Sequence, residues 1–342
     1  QQEGNRKLHM STKDTMRVAQ SLYENGFITY MRTDSPALSE EGMKGARDAA
    51  VSMFGIDMVP TSPRIYKAKD TNAQEAHEAI RPAGDVFKKP EETGLSGREL
   101  ALYDLIWKRT IASQMKDADK CITTVTINSN DGRSCVFVVT GTTIVFPGFL
   151  RVYVEGYDDP ELALENKERL LPILSENQVL TFQSAQAQGH ETKEKARYTE
   201  ASLVKALEEL GIGRPSTYAT IIDRLFEKNY VVRKGDALVP TFMGWGVIQL
   251  LENHFGHYVD YKFTSAMEED LDEMASGKID ELAYLKKFFE GESGLDFIVK
   301  SNKGAIDSKI AKKLDLPQLS EGCNIYLGPF GPYVKGNSDK FI

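Results

Sequence analysis

The spacing of apolar and polar positions divides the chain into helical and extended stretches. Leu22 and Tyr23 share one side of a predicted helix that Gly26 brings to a stop. Ser39 is a typical N-cap for the next helix, and residues 27–31 form a short β-type run between the two. Residues 1–116 are therefore predicted to be mostly helical with one short strand. The predicted helices cover residues 12–25, 39–54 and 96–115.

After residue 116 the pattern changes to strict alternation of β-branched and polar side chains. Such period-two runs, separated by turns, are typical of an antiparallel sheet. A turn is predicted at residues 130–132, where Asn, Asp and Gly follow one another. Residues 117–190 are therefore predicted to be a β-rich domain. Its strands are expected over residues 121–128, 134–140, 142–154 and 179–187.

The chain becomes helical again near residue 196. Thr199 is expected to cap a helix over residues 200–210, and Ser216 a second helix that ends at Lys228. A hairpin follows at residues 230–240, which completes the order of a winged helix. Winged helices bind either DNA or protein, so this layout alone leaves both open. Further helices are predicted over residues 241–255, 264–276 and 280–290, and residues 300–315 read as a linker.

Composition excludes several classes of protein. The 342 residues are 41% hydrophobic and 27% charged, which is ordinary for a globular chain of two or three cores. There is no apolar run of membrane-spanning length, no Cys-x-x-Cys zinc pattern and no phosphate-binding loop of the ATP-using kind. We therefore expect no membrane contact, no metal site within this sequence and no use of ATP.

The net charge of −8 argues against a generic nucleic-acid binder. The charge is uneven, however. Residues 197–234 hold seven basic and five acidic side chains, whereas residues 261–300 hold five basic and ten acidic ones. A DNA strand would be expected to touch the first segment and avoid the second.

The most specific chemical pattern lies at residues 26–35. In a strand, Tyr30, Arg32 and Asp34 would point to one face. A phenol can form an ester with phosphate, and an arginine fork matches phosphate oxygens. The pattern suggests attack of a tyrosine on a phosphodiester, and the alternative is an ordinary strand with Arg32 and Asp34 paired at its surface.

This stretch resembles the active-site signature of type IA DNA topoisomerases. Met31, where topoisomerase III has proline, is more similar to the bacterial topoisomerase I branch. The resemblance runs colinearly through about residues 1–300. Its other segments are residues 1–8, 15–24, 75–82, 196–203, 211–218 and 263–272.

The resemblance implies a role for each candidate residue. Tyr30 would be the nucleophile, and it needs help because phenolate is scarce at neutral pH. Arg32 would hold the scissile phosphate, and Asp34 would either orient Arg32 or form a surface salt bridge. His77 would contact phosphate or relay a proton. Arg81 would contact phosphate or pair with Glu78.

Further DNA contacts are expected at the start of the second winged-helix helix. Backbone amides and the helix dipole favour a phosphate there. Arg214 would add a fork, while Tyr218 is expected to pack inside and Ser216 could simply cap the helix. The predicted DNA contacts outside the catalytic motif are Arg81, Arg197, Arg214, Ser216 and Thr217.

The implied fold class is α+β and multidomain, as an incomplete toroid. Residues 1–116 would be the gate that carries the tyrosine, residues 117–190 a β-rich arch, and residues 191–300 a base that grips single-stranded DNA. Residues 301–342 would be a linker and the truncated start of a C-terminal repeat, which we expect to be weakly folded. The chain lacks an initiator Met, and we expect it to be a fragment without the N-terminal toprim domain whose carboxylates hold Mg²⁺.

The expected activity of the intact protein is relaxation of negatively supercoiled DNA without ATP, through a 5′-phosphotyrosine. The fragment alone should bind single-stranded DNA weakly and fail to relax a plasmid. The expected setting is a monomer in the cytoplasm, associated with the nucleoid. The alternatives are a winged-helix module without covalent chemistry, or a relative of reverse gyrase or topoisomerase III.

Overall fold

The computed structural model describes residues 1–67, 78–129, 135–158, 170–192, 194–307, 310–316 and 323–336. Within them, ten α-helices and seven strands form a mixed architecture with three small antiparallel sheets. The predicted α+β class is confirmed in this coarse form.

The first part of the chain is helical, as its periodicity predicts. The predicted N-cap at Ser39 is formed, and the preceding helix also begins at a serine. Ser39 Oγ accepts a hydrogen bond from the amide of Gly42 at 3.1 Å, and Ser11, which the sequence left unassigned, accepts one from the amide of Asp14 at 3.0 Å. The helices are α1 (Gln2–Leu8), α2 (Thr12–Glu24), α3 (Glu40–Phe54) and α4 (Gly97–Ser113).

These four helices enclose the largest apolar core of the described chain. Leu22 of α2 and Tyr103 and Ile111 of α4 are completely buried in it. Ile28, from the segment that leads to Tyr30, is buried in the same core. Burying each such side chain stabilises the fold by about 1.5–3 kcal/mol, so the tyrosine segment is anchored by the core beside it.

A long two-stranded ribbon follows. Strand β1 (Asp119–Asn128) pairs antiparallel with β2 (Val136–Phe146), and Thr124 lies opposite Thr140. Most side chains of both strands are exposed. The ribbon is therefore stabilised mainly by the backbone hydrogen bonds between its two strands, and it extends away from the helical core.

Two strand predictions in this region are wrong. The extended run predicted over 142–154 ends at Phe146, because Pro147 is followed by a tight turn in which Gly148 adopts a positive φ of 49°. No strand forms over 179–187, where every side chain is exposed and no neighbouring strand supplies hydrogen bonds. The predicted turn at 130–132 lies outside the described residues.

The winged-helix order is present. Helices α5 (Glu200–Glu209) and α6 (Tyr218–Glu227) are followed by a hairpin of β3 (Val231–Lys234) and β4 (Ala237–Pro240). Thr199 caps α5 as predicted, because its Oγ1 accepts from the amide of Ser202 at 3.0 Å while the Ser202 hydroxyl accepts from the amide of Thr199 at 2.8 Å. This reciprocal pair fixes where α5 begins.

Four more helices follow the hairpin: α7 (Phe242–Val259), α8 (Tyr261–Ala275), α9 (Glu281–Phe289) and α10 (Leu295–Ala305). The prediction of a linker from residue 300 is wrong, since α10 continues to Ala305. The Asn302 amide donates to the backbone carbonyl of His254 at 2.7 Å, so a tertiary contact ties the end of α10 to α7. None of the helices in the described ranges combines the length and apolar character needed to cross a bilayer.

The C-terminal segment, expected to be weakly folded, forms a docked sheet. Strands β5 (Lys313–Leu314), β6 (Cys323–Gly328) and β7 (Gly331–Gly336) pair antiparallel. Leu314 is buried, and the side chain of Gln249 on α7 bonds the carbonyl of Lys313 at 2.9 Å and the amide of Asp315 at 3.0 Å. The expectation failed because helix α7 supplies the apolar surface that the short segment lacks.

The helices that carry the tyrosine segment rest on the winged helix. Glu200, buried at the start of α5, accepts from both the amide and the hydroxyl of Thr12 at 2.7 Å. Lys13 pairs with Asp223 of α6 at 2.6 Å. The start of α2 is therefore fixed to both helices of the winged helix.

Candidate active site

Tyr30 lies on an irregular loop that the second family-like segment holds in place. The amide of Thr29 donates to the carbonyl of Arg81 at 2.9 Å, and the amide of Ala83 donates to that of Phe27 at 2.9 Å. These bonds surround a single β-bridge between Ile28 and Pro82. The strand predicted over 27–31 is thus reduced to one bridge, and the chain past Tyr30 is irregular as far as α3.

The three candidate side chains of this loop all reach solvent. Tyr30 is 39% exposed, and Arg32 and Asp34 are exposed as well, whereas Met31 between them is buried. The three side chains lie on the accessible side of the loop without the regular strand that the sequence suggested.

Neither predicted role of Asp34 is seen. Within the described residues, no ion pair joins Arg32 to Asp34, and no hydrogen bond engages the Arg32 side chain. Burial is the main cause of the raised pKa of the Tyr218 phenol at the start of α6, and the Asp34 carboxylate adds to it.

The ring of Tyr23 contacts Tyr30, a neighbour that the sequence analysis missed. Tyr23 was expected on the apolar side of α2, yet it is 42% exposed. The two rings meet edge to face, an arrangement that aromatic pairs prefer. The signal was present, because Gly26 ends α2 and turns the chain back over its last turn, with a positive φ of 73°.

Arg81 is a structural residue in this conformation. It is 5% exposed, and its fork pairs with both carboxylate oxygens of Glu78 at 2.9 and 3.0 Å. It also donates to the carbonyls of Pro82 and Gly84 at 2.9 Å. Of the two sequence alternatives, pairing with Glu78 is the one observed, and the buried fork does not fit a contact with DNA. Although partial burial opposes it, hydrogen bonds from Arg81 and Ser39 lower the pKa of Glu78.

His77, the proposed phosphate or proton-relay residue, lies outside the described residues. Glu78, the next residue along, is the first of the segment that braces the tyrosine loop, and its carboxylate accepts from the amide of Ser39 at 3.2 Å. The role of His77 stays a prediction.

The start of α6 differs from the expected cap. Thr217, not Ser216, occupies the N-cap position, and its hydroxyl bonds the backbone of Arg214 at 2.8 Å instead of the helix amides. Ser216 and Thr217 are exposed, and so is Arg197 before α5. The predicted cap by Ser216 is wrong because α6 begins one residue later, after Thr217. The Thr217 hydroxyl accepts from the amide of Arg214 and does not cap the helix either.

Arg214 is bound by two acidic residues of α8. Its Nη2 pairs with Asp272 at 2.6 Å, and its Nη1 lies 3.8 Å from a carboxylate oxygen of Glu268. Partial burial lowers the pKa of Arg214, but the Asp272 contact outweighs this and raises it. Two carboxylates of the acidic segment thus contact an arginine of the basic segment.

Tyr218 packs inside, as predicted. It is buried in a small core with Val204 and Ile222. Burial raises the pKa of its phenol, and the carboxylates of Glu208, Glu268 and Asp34 act in the same direction. Two separate family-like segments, residues 211–218 and the segment of Glu268, thus meet at the start of α6.

Residues 1–286 match the profile of a protein family described as DNA topoisomerase. That match covers most of the chain. The chain belongs to the DNA topoisomerase family. The type IA resemblance carried by the residues around Tyr30 is thereby supported by the whole length of the match.

Individual topoisomerases agree with this assignment. The chain is 48% identical to DNA topoisomerase 1 of Streptomyces coelicolor, over 99% of this chain and 38% of that protein. It is 51% identical to DNA topoisomerase 1 of a Synechocystis strain, over 98% of this chain and 37% of that protein. The structure of full-length topoisomerase I from Thermotoga maritima superimposes with a TM-score of 0.72 at 32% identity, covering 99% of this chain and 55% of that one. The chain therefore spans well under half the length of the curated topoisomerases that it matches.

The described part of this topoisomerase chain does not offer a metal centre. No group of three or more His, Cys, Asp or Glu side chains is placed to hold an ion among the residues that the structure describes. Asp117 pairs with Arg64 at 2.9 Å and Asp272 with Arg214, so these two acids are engaged with arginines. The Mg²⁺ that the family resemblance implies does not fit the described residues.

Proposed function

We propose that the protein containing this chain relaxes negatively supercoiled DNA by transient cleavage of one strand, with Tyr30 as the nucleophile. The observation that carries this proposal is the partly exposed side chain of Tyr30, on a loop that the segment around Pro82 holds in place. A nucleophile must reach its substrate and yet stay in place. The anchoring of Ile28 in the core and the exposure of Tyr30 two residues later meet both needs.

The proposed reaction exchanges one phosphodiester for another. The Oη of Tyr30 attacks phosphorus and loses its proton, the P–O3′ bond breaks, and the 3′ oxygen leaves as a hydroxyl after it takes up a proton. The 5′ phosphate stays esterified to the tyrosine. The 3′ hydroxyl later reverses the attack, once another strand has passed through the gap. Because the ester conserves the bond energy, the cycle needs no nucleotide.

Arg32 is proposed to bind the non-bridging oxygens of the scissile phosphate. Its guanidinium is always charged and matches two phosphate oxygens, and negative charge grows on those oxygens during the attack. Its exposed side chain has no partner among the described residues that would have to be displaced first. His77 is proposed to assist the proton transfer or bind phosphate, and Asp34 to act at the boundary between the loop and the winged helix.

The winged helix is proposed to hold the single strand beside the tyrosine. Arg197, Ser216 and Thr217 are exposed, and the side chain of Arg214 is one-third exposed at the start of α6. Lys13 and Asp223 bring this surface next to α2, whose end carries the loop of Tyr30. Binding through phosphates would weaken with added salt, as it does for other single-strand binders.

The domain roles are proposed in the same terms. Residues 1–116 would form the gate, residues 117–190 the arch and residues 191–300 the base, and the sheet near the C-terminus would be the start of a repeat. The contacts of Thr12 with Glu200 and of Lys13 with Asp223 join the gate to the base. Opening the gate would require these contacts to break. We propose a monomer for this arrangement.

Magnesium is proposed to act only through residues outside this sequence, on a toprim domain. When bound there, it would supply positive charge near the cleaved strand. This chain alone is accordingly expected to bind single-stranded DNA weakly and to leave a supercoiled plasmid unrelaxed. Plasmid relaxation by the 342-residue chain would contradict this part of the proposal.

The deciding experiment uses the longest natural reading frame that contains this sequence. The protein is mixed with a single-stranded oligonucleotide that carries its label at the 3′ end, on the side of the break that stays joined to the tyrosine. The reaction is quenched with detergent, and DNA-linked protein is resolved on a denaturing gel. We expect a linked band in the wild type and none in Tyr30→Phe. Tyr66→Phe, a change to another exposed tyrosine whose hydroxyl bonds the carbonyl of Ser113, is the matched control and should keep the band. If the wild type gives no band but binds DNA, the chain is a non-covalent winged-helix module.

A further inference from the structure

One face of α8 packs against the turn between α5 and α6. Ser265, Glu268 and Asp272 are spaced at i, i+3 and i+7 and so share a side of the helix. Ser265 lies against Gly211, where an added Cβ would come within 2.8 Å of the serine hydroxyl. Helix α8 therefore lies so close to the turn that a side chain at position 211 would collide with Ser265.

The acidic residues of this face bind the rest of the turn. A carboxylate oxygen of Glu268 accepts from the amide of Gly213 at 3.1 Å, and Gly213 holds a positive φ of 77°. Asp272 accepts from Arg214 Nη2 at 2.6 Å. Backbone and side chain of successive residues are thus fixed by two carboxylates one helical turn apart.

Arg214 keeps donors for a ligand while it is held. Its recorded bonds use Nη1, to the carbonyl of Gly213 at 2.8 Å, and Nη2, to Asp272 and more weakly to the carbonyl of Glu268. Among the described contacts its Nε donates no hydrogen bond. An arginine has five N–H groups, so an anion can still be bound on the open side of the guanidinium.

We propose that Glu268 and Asp272 are positioning residues that fix Arg214 at the start of α6 for a phosphate of the bound DNA strand. This inference rests on the proposed DNA contact of Arg214. A long, unrestrained arginine must give up its rotamer freedom when it binds phosphate. Two carboxylates that already orient the fork remove that cost, and they also determine the direction in which it points.

Simple electrostatics predicts that these acidic residues weaken DNA binding, whereas the positioning role predicts that they strengthen it. Residues 261–300 carry ten acidic and five basic side chains. Removing any one acid should then reduce repulsion and strengthen binding to a phosphate backbone. If Asp272 positions Arg214, removing its carboxylate weakens binding. The sign of the change separates the two explanations.

The test measures the affinity of the 342-residue chain for a short fluorescent single-stranded oligonucleotide by anisotropy. Arg214→Ala and Asp272→Ala are each expected to weaken binding by about three- to tenfold. The double variant should bind no more weakly than Arg214→Ala, because Asp272 would act only through Arg214. Glu269→Ala, which removes an exposed charge from the neighbouring position of α8, is the control and should leave affinity unchanged or slightly higher.

A salt titration adds a readout that a purely structural role would not change. The slope of log affinity against log salt should become shallower by about 0.7 in Arg214→Ala, the value for one lost single-strand phosphate contact. The same reduction is expected in Asp272→Ala, because the fork would no longer be held at the phosphate. Asp272→Asn, which keeps a hydrogen-bond acceptor, should fall between wild type and Asp272→Ala.

The outcomes distinguish failure of the positioning role from failure of the proposed DNA contact of Arg214. If Arg214→Ala binds like wild type, the DNA contact itself is refuted. If Arg214→Ala weakens binding while Asp272→Ala strengthens it or leaves it unchanged, Asp272 does not position the arginine, and a gain shows that it competes with phosphate. Melting curves monitor folding. If Asp272→Ala does not fold, the affinities of Asp272→Asn and Glu268→Gln are measured instead: weaker binding supports the positioning role, and unchanged or stronger binding contradicts it.

Discussion

The rings of Tyr23 and Tyr30 meet edge to face, with centroids 5.2 Å apart and planes inclined by 70°. One ring belongs to the last turn of a helix, and the other to the irregular loop that follows. The contact therefore ties the ring of the proposed nucleophile to a helix. The packing of the two rings limits rotation of the Tyr30 side chain.

Replacing Tyr23 should impair cleavage more than DNA binding. Edge-to-face pairs are worth about 0.5–1.5 kcal/mol. Tyr23→Ala should therefore lower the rate of covalent-complex formation by about two- to tenfold, measured in the longest natural reading frame that contains this sequence. Tyr23→Phe keeps the ring and should retain the wild-type rate. The rate is measured by detergent quench at saturating oligonucleotide, and affinity is measured separately.

A uniform loss of affinity in Tyr23→Ala, with no change in the rate at saturation, would show that Tyr23 binds DNA instead of positioning Tyr30. If Tyr23→Phe fails like Tyr23→Ala, the hydroxyl and not the ring face is what matters.

The Glu78–Arg81 pair should make the brace of the tyrosine loop sensitive to acid. Partial burial opposes ionisation, but hydrogen bonds from Arg81 and Ser39 hold the pKa of Glu78 below its ordinary value of 4.5 in the folded chain. A carboxyl group with a depressed folded pKa stabilises the fold above its unfolded pKa, and the contribution is lost as pH falls through the folded pKa. The loss should thus occur below about pH 4.5, not near neutrality.

Comparing wild type with Glu78→Gln isolates this contribution. The difference in unfolding free energy, from urea denaturation, should be constant near neutral pH and shrink below about pH 4.5. Glu91→Gln, at an exposed carboxylate, is the control for general acid effects. A difference that stays constant into the acid range would contradict the proposed linkage.

Glu200 should be one of the most sensitive positions for stability. Its carboxylate is buried, binds Thr12 twice and pairs with Arg233 of the hairpin. Glu200→Ala would leave a buried amide and hydroxyl without a partner, at a cost of about 2–4 kcal/mol. The measurement is the unfolding free energy in urea.

An exposed glutamate at the other end of α5 provides the comparison. Glu209 lies 3.8 Å from Lys205 in an exposed pair, and Glu209→Ala should cost less than about 1 kcal/mol. Equal effects of the two substitutions would mean that Glu200 does not tie α2 to the winged helix.

Elements fixed by local signals could be predicted from the sequence. Ser39 and Thr199 cap helices where expected, because an N-cap depends on residues within one turn. The hairpin after α6 also forms at its turn of Gly235 and Asp236. Tyr30 could be singled out because a long, specific motif surrounds it.

Features that depend on distant contacts could not be predicted. Arg81 resembles a phosphate ligand in sequence, but the fold buries it against Glu78. Asp272 lies 58 residues from Arg214, and the sequence around Asp272 does not indicate that the two residues pair. The tyrosine segment lost its regular strand for a similar reason. The amide of Arg81 donates to the hydroxyl of Thr29, and the amide of Phe27 donates to the carbonyl of Leu22, so neither extends the ladder beyond the single bridge.

Docking of the C-terminal sheet should depend on Gln249. Its side chain acts like the edge of another strand, because it accepts from the amide of Asp315 and donates to the carbonyl of Lys313. Gln249→Ala removes both bonds and should weaken docking by about 1–3 kcal/mol. Limited proteolysis should then cut the segment around residues 310–316 earlier than in wild type, while Glu252→Ala, at an exposed position one turn away on α7, should leave the cleavage time unchanged. Unchanged cleavage in Gln249→Ala would mean that burial of Leu314 alone holds the sheet against α7.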